Sequence, residues 1–212
     1  MLDAKTFWDK AAAKYARSPI ADMEAYRHTL ERTQSHLSPT DRVLEVGCGT
    51  GSTALRLADA VAAITATDIS ANMIRIAEEK AKADGIANVR FVTAGLSDDA
   101  LGDGPYDAVL AFNLLHLLED AGAAVRRIHG LLKPGGLFIS KTVCRPESGG
   151  SFKFLLMKTA LPLLQLVGKA PFVRLMSIDE LEEIVASAGF DIVETGNFPA
   201  SPPSRFIVAR RT

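Results

Sequence analysis

From Arg42 onward the sequence alternates short apolar runs with helical periods, and this alternation constrains the fold more than any other feature. Runs such as RVLEV (42–46) and YDAVLAF (106–112) are apolar on both faces of a strand. Between such runs, apolar residues recur at helical spacing, as in residues 54–61. Buried strands that alternate with helices predict a parallel sheet covered by helices on both sides, a three-layer α/β/α architecture.

The remaining elements follow from the same patterns. Residues 3–17 and 21–37 carry apolar side chains at helical spacing, so two amphipathic helices are expected before the first strand. A predicted helix over residues 121–132 ends at the sequence KPGG, and a capping box opens another helix at Ser177. The last two predicted strands are joined by residues 196–204, too few for a crossover, so the seventh strand is expected to pair antiparallel.

Composition limits the class of protein. The chain has 212 residues with 48% hydrophobic side chains, which suits one core rather than two full domains. Basic and acidic residues number 24 and 25, a net charge of -1 that offers no footprint for nucleic acid and excludes intrinsic disorder. Cys48 and Cys144 match no metal-ligand spacing, so no metal site and no disulfide framework are expected.

Two segments bear on location. Charged residues interrupt the first 18 residues, where a signal peptide would need an apolar core, so a cytoplasmic protein is expected. Residues 152–167 are very apolar but contain two lysines and a proline, and they fall short of the ~20 apolar residues of a membrane span. No integral membrane segment is therefore expected.

A glycine loop at the end of the first strand carries the strongest chemical signal. Residues 45–51 read EVGCGTG, with glycines that let a ligand approach the backbone at a helix N-terminus. A dinucleotide fingerprint would need its third glycine at position 52, which is Ser52. Asp68 ends the second strand, where a carboxylate accepts hydrogen bonds from ribose hydroxyls, and Glu45 suits an ammonium or sulfonium better than a pyrophosphate. S-adenosylmethionine is favoured over a dinucleotide.

At this point the chain resembles the class I S-adenosylmethionine-dependent methyltransferases. VLEVGCGTG is similar to their glycine loop, ATDIS to their acidic second-strand end, YDAVLAFNLLHLL to their fourth strand and LLKPGGLFI to the turn into their fifth. The resemblance covers residues 40–145 closely. It implies a Rossmann-like fold with a seven-stranded sheet in the order 3-2-1-4-5-7-6, an N-terminal helical cap, and S-adenosylmethionine bound across the strand ends.

The resemblance also assigns cofactor contacts. In the family the glycine loop wraps the methionine part, the acidic residue holds the ribose, and the residues after it pack on adenine. The matching positions here are Glu45, Gly47, Cys48, Gly49, Gly51, Asp68, Ile69, Met73, Gly95, Leu96, Asn113 and Leu114. One departure is visible, because many relatives have Gly-Asp where this chain has Ala94-Gly95. Adenine contacts there pass to the backbone of Gly95 and Leu96, or to Ser97.

Two residues are predicted to act at the transferred methyl group. His116 follows the fourth strand, where it could accept a proton from the substrate, and its alternative is a packed or surface histidine. Tyr15 lies in the opening helix, where its hydroxyl could reach the cofactor carboxylate or the substrate, and its alternative is packing. Cys48 is interpreted as a small packed thiol rather than a nucleophile, because no basic residue adjoins it.

The predicted organisation is one methyltransferase domain over residues 1–212, with a helical cap (1–40), a cofactor-binding core (41–144), an insertion (145–176) and a C-terminal helix with two strands (177–212). The apolar residues of 151–176 predict either a lid over an apolar or amphiphilic small molecule, which would allow transient contact with a membrane surface, or an extra helix in the core or a dimer interface. Both monomer and homodimer stay open.

Three other functions are weighed against small-molecule methylation. A nucleic-acid methyltransferase is disfavoured because residues 113–116 read NLLH and lack the Asn-Pro-Pro-aromatic pattern of base modifiers. A nicotinamide-dependent oxidoreductase is disfavoured by the glycine spacing and by Glu45. A non-catalytic S-adenosylmethionine-binding or regulatory protein stays open, since in-line methyl transfer needs positioning more than a distinctive set of catalytic residues.

Overall fold

A computed structural model of the chain describes residues 3–98, 101, 104–146, 164–165 and 169–212. Most of the predicted lid, residues 147–163 and 166–168, therefore lies outside the described residues. In the part that is described, no helix is both long enough and apolar enough to cross a membrane.

The elements alternate along the chain as the sequence predicts. The helices are α1 (Ala4–Arg17), α2 (Met23–Gln34), α3 (Ser52–Leu57), α4 (Ala71–Asp84), α5 (Ala121–Leu131) and α6 (Ile178–Ser187). The strands are β1 (Arg42–Val46), β2 (Ala63–Asp68), β3 (Val89–Thr93), β4 (Tyr106–Phe112), β5 (Leu132–Val143), β6 (Phe190–Asn197) and β7 (Ser204–Arg211). Short 3₁₀ turns span Ala58–Ala60 and Leu115–Leu117.

The sheet confirms the predicted order β3-β2-β1-β4-β5-β7-β6. Strands β1 to β5 pair in parallel, whereas β7 lies antiparallel between β5 and β6. One face of the sheet is covered by α5 and α6 and the other by α2, α3 and α4, so each face has its own hydrophobic core. The carboxyl ends of β1, β2 and β4 consequently meet at one edge, where the chain turns from one side of β1 to the other.

Two boundaries differ from the sequence prediction. Helix α2 ends at Gln34 rather than at residue 37, and the Ser35 hydroxyl donates to the Arg32 carbonyl at 2.8 Å. Strand β5 begins at Leu132, before the KPGG sequence that was expected to precede it. Its register on β4 jumps there, from Tyr106 opposite Leu132 to Ala108 opposite Leu137, so the glycine-rich residues bulge out of a strand that has already begun.

An ion cluster joins α2 to the edge strand β6. The Glu194 carboxylate accepts hydrogen bonds from Arg32 Nε at 2.8 Å and Nη2 at 2.6 Å, and lies 2.6 Å from His36 Nε2. The paired Arg32 guanidinium, with His36 beside it, lowers the pKa of Glu194 to about 2. The cluster holds α2 against the far end of the sheet.

Glu194→Gln should therefore lower the unfolding free energy at pH 7 by about 1–3 kcal/mol, because a charge-assisted pair is lost. A carboxyl whose pKa is lower in the folded state stabilises above its unfolded pKa and loses that contribution as the pH falls. Thermal melts should show the difference between the two proteins shrinking from about pH 4.5 to about pH 2. The control Glu79→Gln breaks an exposed pair with Arg75 and should cost less than about 0.5 kcal/mol.

Candidate cofactor and active site

A cavity of about 450 Å³ opens at the carboxyl ends of β1, β2 and β4, beneath α1. Most of the residues predicted from the sequence line its wall: Tyr15, Glu45, Gly47, Cys48, Gly49, Asp68, Ile69, Met73, Gly95, Leu96, Asn113 and Leu114. Gly51 and His116 do not line it. Among the described residues, no cluster of histidine, cysteine and carboxylate side chains is arranged to hold a metal ion.

The glycine loop needs its glycines for two different reasons. Gly47, Gly49 and Gly51 all have positive φ, at 68°, 54° and 74°. A Cβ on Gly47 would lie 2.8 Å from Leu114 Cδ1, so this glycine lets the loop after β4 close onto the glycine loop. A Cβ on Gly51 would lie 2.8 Å from Phe91, so this glycine serves the packing of α3 behind the cavity wall.

Asp68 fixes the shape of the loop. Its Oδ2 accepts the Gly49 backbone N–H and its Oδ1 accepts the Ser70 backbone N–H, both at 2.9 Å. Burial raises the pKa of Asp68, and the two N–H donors act in the opposite direction. Each oxygen keeps a further lone pair, so the carboxylate can hold the loop and still accept from ligand hydroxyls.

Glu45 presents an unpaired carboxylate oxygen on the cavity wall. The residue is 2% exposed, and its Oε2 has no hydrogen-bond partner in the described part of the chain. Burial raises its pKa to about 8; the Asp68 charge adds to the rise and the Ala54 backbone amide opposes it. A buried acceptor without a donor suits a cationic ligand.

The backbone turns sharply after β4. Asn113 has φ 55°, the one described non-glycine residue with positive φ, and its N–H donates to the Lys141 carbonyl at 2.7 Å. This turn lays Leu114 over the glycine loop and leads into the 3₁₀ turn Leu115–Leu117. Asparagine suits this position, because it tolerates the left-handed conformation better than most other non-glycine residues.

His116 lies within that 3₁₀ turn, next to Leu117 and Leu118, which do line the cavity. Its Nδ1 is buried and has no partner among the described residues. Burial lowers the pKa of His116 to about 4, so the ring is neutral at pH 7. Tyr15 does line the cavity; burial and the carboxylates of Asp68 and Glu45 raise its pKa, so its phenol keeps its proton.

Two polar contacts that shape the cavity have no signal in the sequence. Lys80, from α4, donates to the Thr50 carbonyl at 3.0 Å, to the Thr50 hydroxyl at 2.8 Å and to the Ser52 hydroxyl at 3.2 Å. Asp98 Oδ2 accepts the Gly95 backbone N–H at 2.6 Å, so the amide expected to face adenine is already engaged. A lysine in a helical period and an aspartate in a turn have many other uses, so neither stands out before the chain is folded.

A third missed contact docks α1 over the cavity. Asp9 Oδ1 accepts the Ser70 hydroxyl at 2.7 Å and the Asn72 N–H at 3.2 Å. Among the described residues of α1, only Ala12 is fully buried, so these bonds form much of its attachment. They hold Trp8 and Tyr15 on the cavity wall, with their rings edge to face at 6.2 Å.

The comparisons with known proteins agree with this geometry. Residues 43–136 match the family model of a methyltransferase domain. An uncharacterised methyltransferase of Mycobacterium tuberculosis is 36% identical over 108 residues, which cover 51% of this chain and 53% of the relative. Demethylmenaquinone methyltransferase of Geobacillus kaustophilus is 28% identical over 168 residues, 72% of each chain. The chain thus spans about half the length of the first of these relatives.

A solved structure shares the fold over nearly the whole chain. Magnesium protoporphyrin IX methyltransferase of Synechocystis, with S-adenosylhomocysteine bound, superposes with a TM-score of 0.74 at 21% identity and covers 98% of both chains. The chain therefore has the fold of the class I S-adenosylmethionine-dependent methyltransferases, and its residues 43–136 are similar to a methyltransferase domain.

Loss of the Asp9 contacts should loosen α1. In Asp9→Ala we expect faster hydrogen exchange over residues 4–17 and about tenfold faster dissociation of S-adenosylhomocysteine, with little change in the melting of the sheet. Asp9→Asn keeps an acceptor oxygen and should retain most of the wild-type behaviour. The control Asp3→Ala removes only the N-cap of the same helix. Equal effects of the Asp3 and Asp9 variants on dissociation would show that helix stability, not docking, controls it.

Cofactor affinity should rise with pH. Glu45 is mostly protonated at pH 7, and a bound ammonium favours its carboxylate, so binding releases a proton. Titration calorimetry should show affinity rising by up to about tenfold per pH unit from about pH 6 to 8, levelling where the cofactor's own amine loses its proton. Glu45→Gln should bind more weakly and with little pH dependence. A dependence that persists in this variant would assign the proton to another group, such as Asp68.

Proposed function

We propose that this protein transfers the methyl group of S-adenosylmethionine to a small apolar or amphiphilic molecule. The distribution of charge in the cavity carries the proposal. Its charged lining residues, Glu45, Asp68 and Lys80, all belong to or contact the glycine loop. The described lining residues from α1, its linker to α2 and the segment after β4 are uncharged, and most are apolar: Trp8, Ala16, Pro19, Ile20, Leu114, Leu117 and Leu118. A charged cofactor end beside an apolar wall suits an apolar acceptor.

Other observations favour a small acceptor in the cytoplasm. Two of the similar proteins are named as methyltransferases of small molecules, demethylmenaquinone and magnesium protoporphyrin IX. The chain's net charge of -1 offers nucleic acid no phosphate footprint. Cys48 and Cys144 are buried free thiols, which suits a reducing compartment.

The chain's task in this reaction is to bind, orient and exclude water. When bound, the cofactor would supply a methyl group already activated on a sulfonium for in-line transfer to the acceptor. Asp68 holds the ribose and the glycine loop wraps the methionine part, with Ile69 and Met73 against adenine. Because Asp98 already holds the Gly95 amide, the backbone of Leu96 beside Gly95 would complete the adenine side, and Asn113 and Leu114 would close the loop from the β4 side. Positioning supplies much of the rate, since the electrophile arrives activated.

Tyr15 and His116 are the proposed polar groups at the methyl. Tyr15 keeps its proton and lies on the wall, so it is suited to orient an acceptor oxygen or nitrogen. His116 is neutral, the form that accepts a proton, but it does not line the cavity, whereas the adjacent Leu117 and Leu118 do. Its role as a base therefore stays a prediction and applies only to an acceptor that arrives protonated.

Binding and transfer are tested separately. Asp68→Ala should weaken S-adenosylmethionine binding by about 2–4 kcal/mol, since two hydrogen bonds to a charged acceptor are lost along with the anchor of Gly49. The control Asp59→Ala changes an exposed aspartate and should bind as wild type. Unchanged affinity in Asp68→Ala would remove this carboxylate from the ribose site.

Transfer is tested with methyl-labelled cofactor and fractionated metabolite extracts. Labelled product in an organic-extractable fraction, lost in Asp68→Ala, is the expected result, and His116→Gln should slow transfer by about 100-fold if the ring is the base. Tight cofactor binding with no labelled product in any fraction would favour the second candidate function, a cofactor-binding protein without transfer. The fold alone does not decide between the two.

A further inference from the structure

Two buried polar atoms on the cavity wall have no hydrogen-bond partner in the described part of the chain. They are Tyr26 Oη and Glu45 Oε2. Three other orphan atoms, on His116, Ser140 and Thr142, belong to residues that do not line the cavity. Buried polar groups are nearly always paired in folded proteins, so two orphans on one wall indicate a ligand that supplies both partners.

The two groups are chemically complementary. The Glu45 carboxylate is an acceptor, and burial raises the pKa of Tyr26, so its phenol keeps its proton and is a donor. Both line the same cavity, and the Glu45 charge adds to the burial that raises the pKa of Tyr26. Thr53 and Arg56 lie beside the phenol and oppose the rise, but neither completes a hydrogen bond with it.

The position of Tyr26 is fixed from two sides. It lies in the first turn of α2, one residue from the buried Ala25, and the Arg56 guanidinium of α3 stacks over its ring at 5.8 Å. The positive guanidinium is attracted to the π electrons of the ring, and this attraction holds the ring in place. The hydroxyl is thus presented near the start of α3, where the glycine loop ends.

The cofactor has one part that needs an adjacent donor and acceptor, namely the ammonium and carboxylate of its amino-acid end. We propose that the Tyr26 hydroxyl donates a hydrogen bond to this carboxylate while Glu45 accepts from the ammonium. Lys80 is a less suitable partner for the carboxylate, because its ammonium already donates to Thr50 and Ser52. The Tyr15 hydroxyl is not among the buried atoms that lack a partner, so it does not require a ligand in the way that Tyr26 does.

The assignment deepens the proposed function and rests on it. Tyr26 is then a specificity residue that distinguishes ligands with an amino-acid carboxylate from other adenosine thioethers. No signal in the sequence marked it, because a tyrosine in an amphipathic helix is ordinarily a packing residue.

The test is a double cycle that combines two proteins, wild type and Tyr26→Phe, with two ligands, and titration calorimetry measures each affinity. The ligands are S-adenosylhomocysteine and its decarboxylated analogue, which keeps the ammonium. Wild type should bind the analogue about 10- to 100-fold more weakly, as expected for one hydrogen bond to a charged group. Tyr26→Phe should weaken S-adenosylhomocysteine binding by a similar factor and the analogue by less than about twofold. Its melting temperature should not fall, because the change removes an unpaired buried hydroxyl.

Tyr106→Phe is the matched control. The Tyr106 hydroxyl is also buried but donates to the Leu101 carbonyl at 2.7 Å, away from the cavity. This variant should melt at a lower temperature and bind both ligands as wild type does.

Two results would overturn the assignment. One is a wild-type protein that binds the decarboxylated analogue as tightly as S-adenosylhomocysteine, which needs no variant to observe. The other is a Tyr26→Phe protein that loses both ligands equally or neither. If wild type binds neither ligand, the proposed function fails with it; if wild type binds S-adenosylhomocysteine, only the role of Tyr26 is at stake.

Discussion

The carboxylate of Asp68 joins the parts of the chain that make the site. Through its two oxygens it holds the Gly49 and Ser70 backbone amides, and the Ser70 hydroxyl in turn reaches Asp9 on α1. The glycine loop, the start of α4 and the cap are therefore connected through one buried acceptor. Because a buried carboxylate is costly without donors, this arrangement forms only when the three segments come together.

The cavity divides its chemistry between two walls. The wall made by the glycine loop and the ends of β1 and β2 carries the charged groups, and the wall made by α1, its linker to α2 and the residues after β4 is uncharged in its described part. The division follows from the sheet topology. The chain places β2 and β3 on one side of β1 and β4 and β5 on the other, and the connections therefore leave a crevice at the carboxyl end of β1. In the proposed function, the charged cofactor and an apolar acceptor would meet at the boundary between these two walls.

Local pattern was enough to predict most elements, because each depends on its own residues. The apolar runs at 42–46, 63–68 and 106–112 are strands with those same bounds, and Ser177 caps α6 as its capping box predicts. The predicted start of β5 was wrong. The KPGG sequence is a turn signal when taken locally, but in the folded chain it lies in a strand bulge that pairing with β4 creates. In the site, the motifs were enough to select Glu45, Gly47 and Asp68, which line the same cavity.

By itself the sequence determined the alternation of strands and helices, the glycine loop and the acidic residues beside it, because these are encoded within a few neighbouring residues. Only the tertiary structure decided which side chains from distant segments share the cavity, such as Tyr26 beside Glu45, and Asp9 beside Ser70. It also set their protonation, since Glu45 is a neutral carboxyl near pH 7 only after burial removes its water. Burial and long-range contact are properties of the packed chain, and no local pattern contains them.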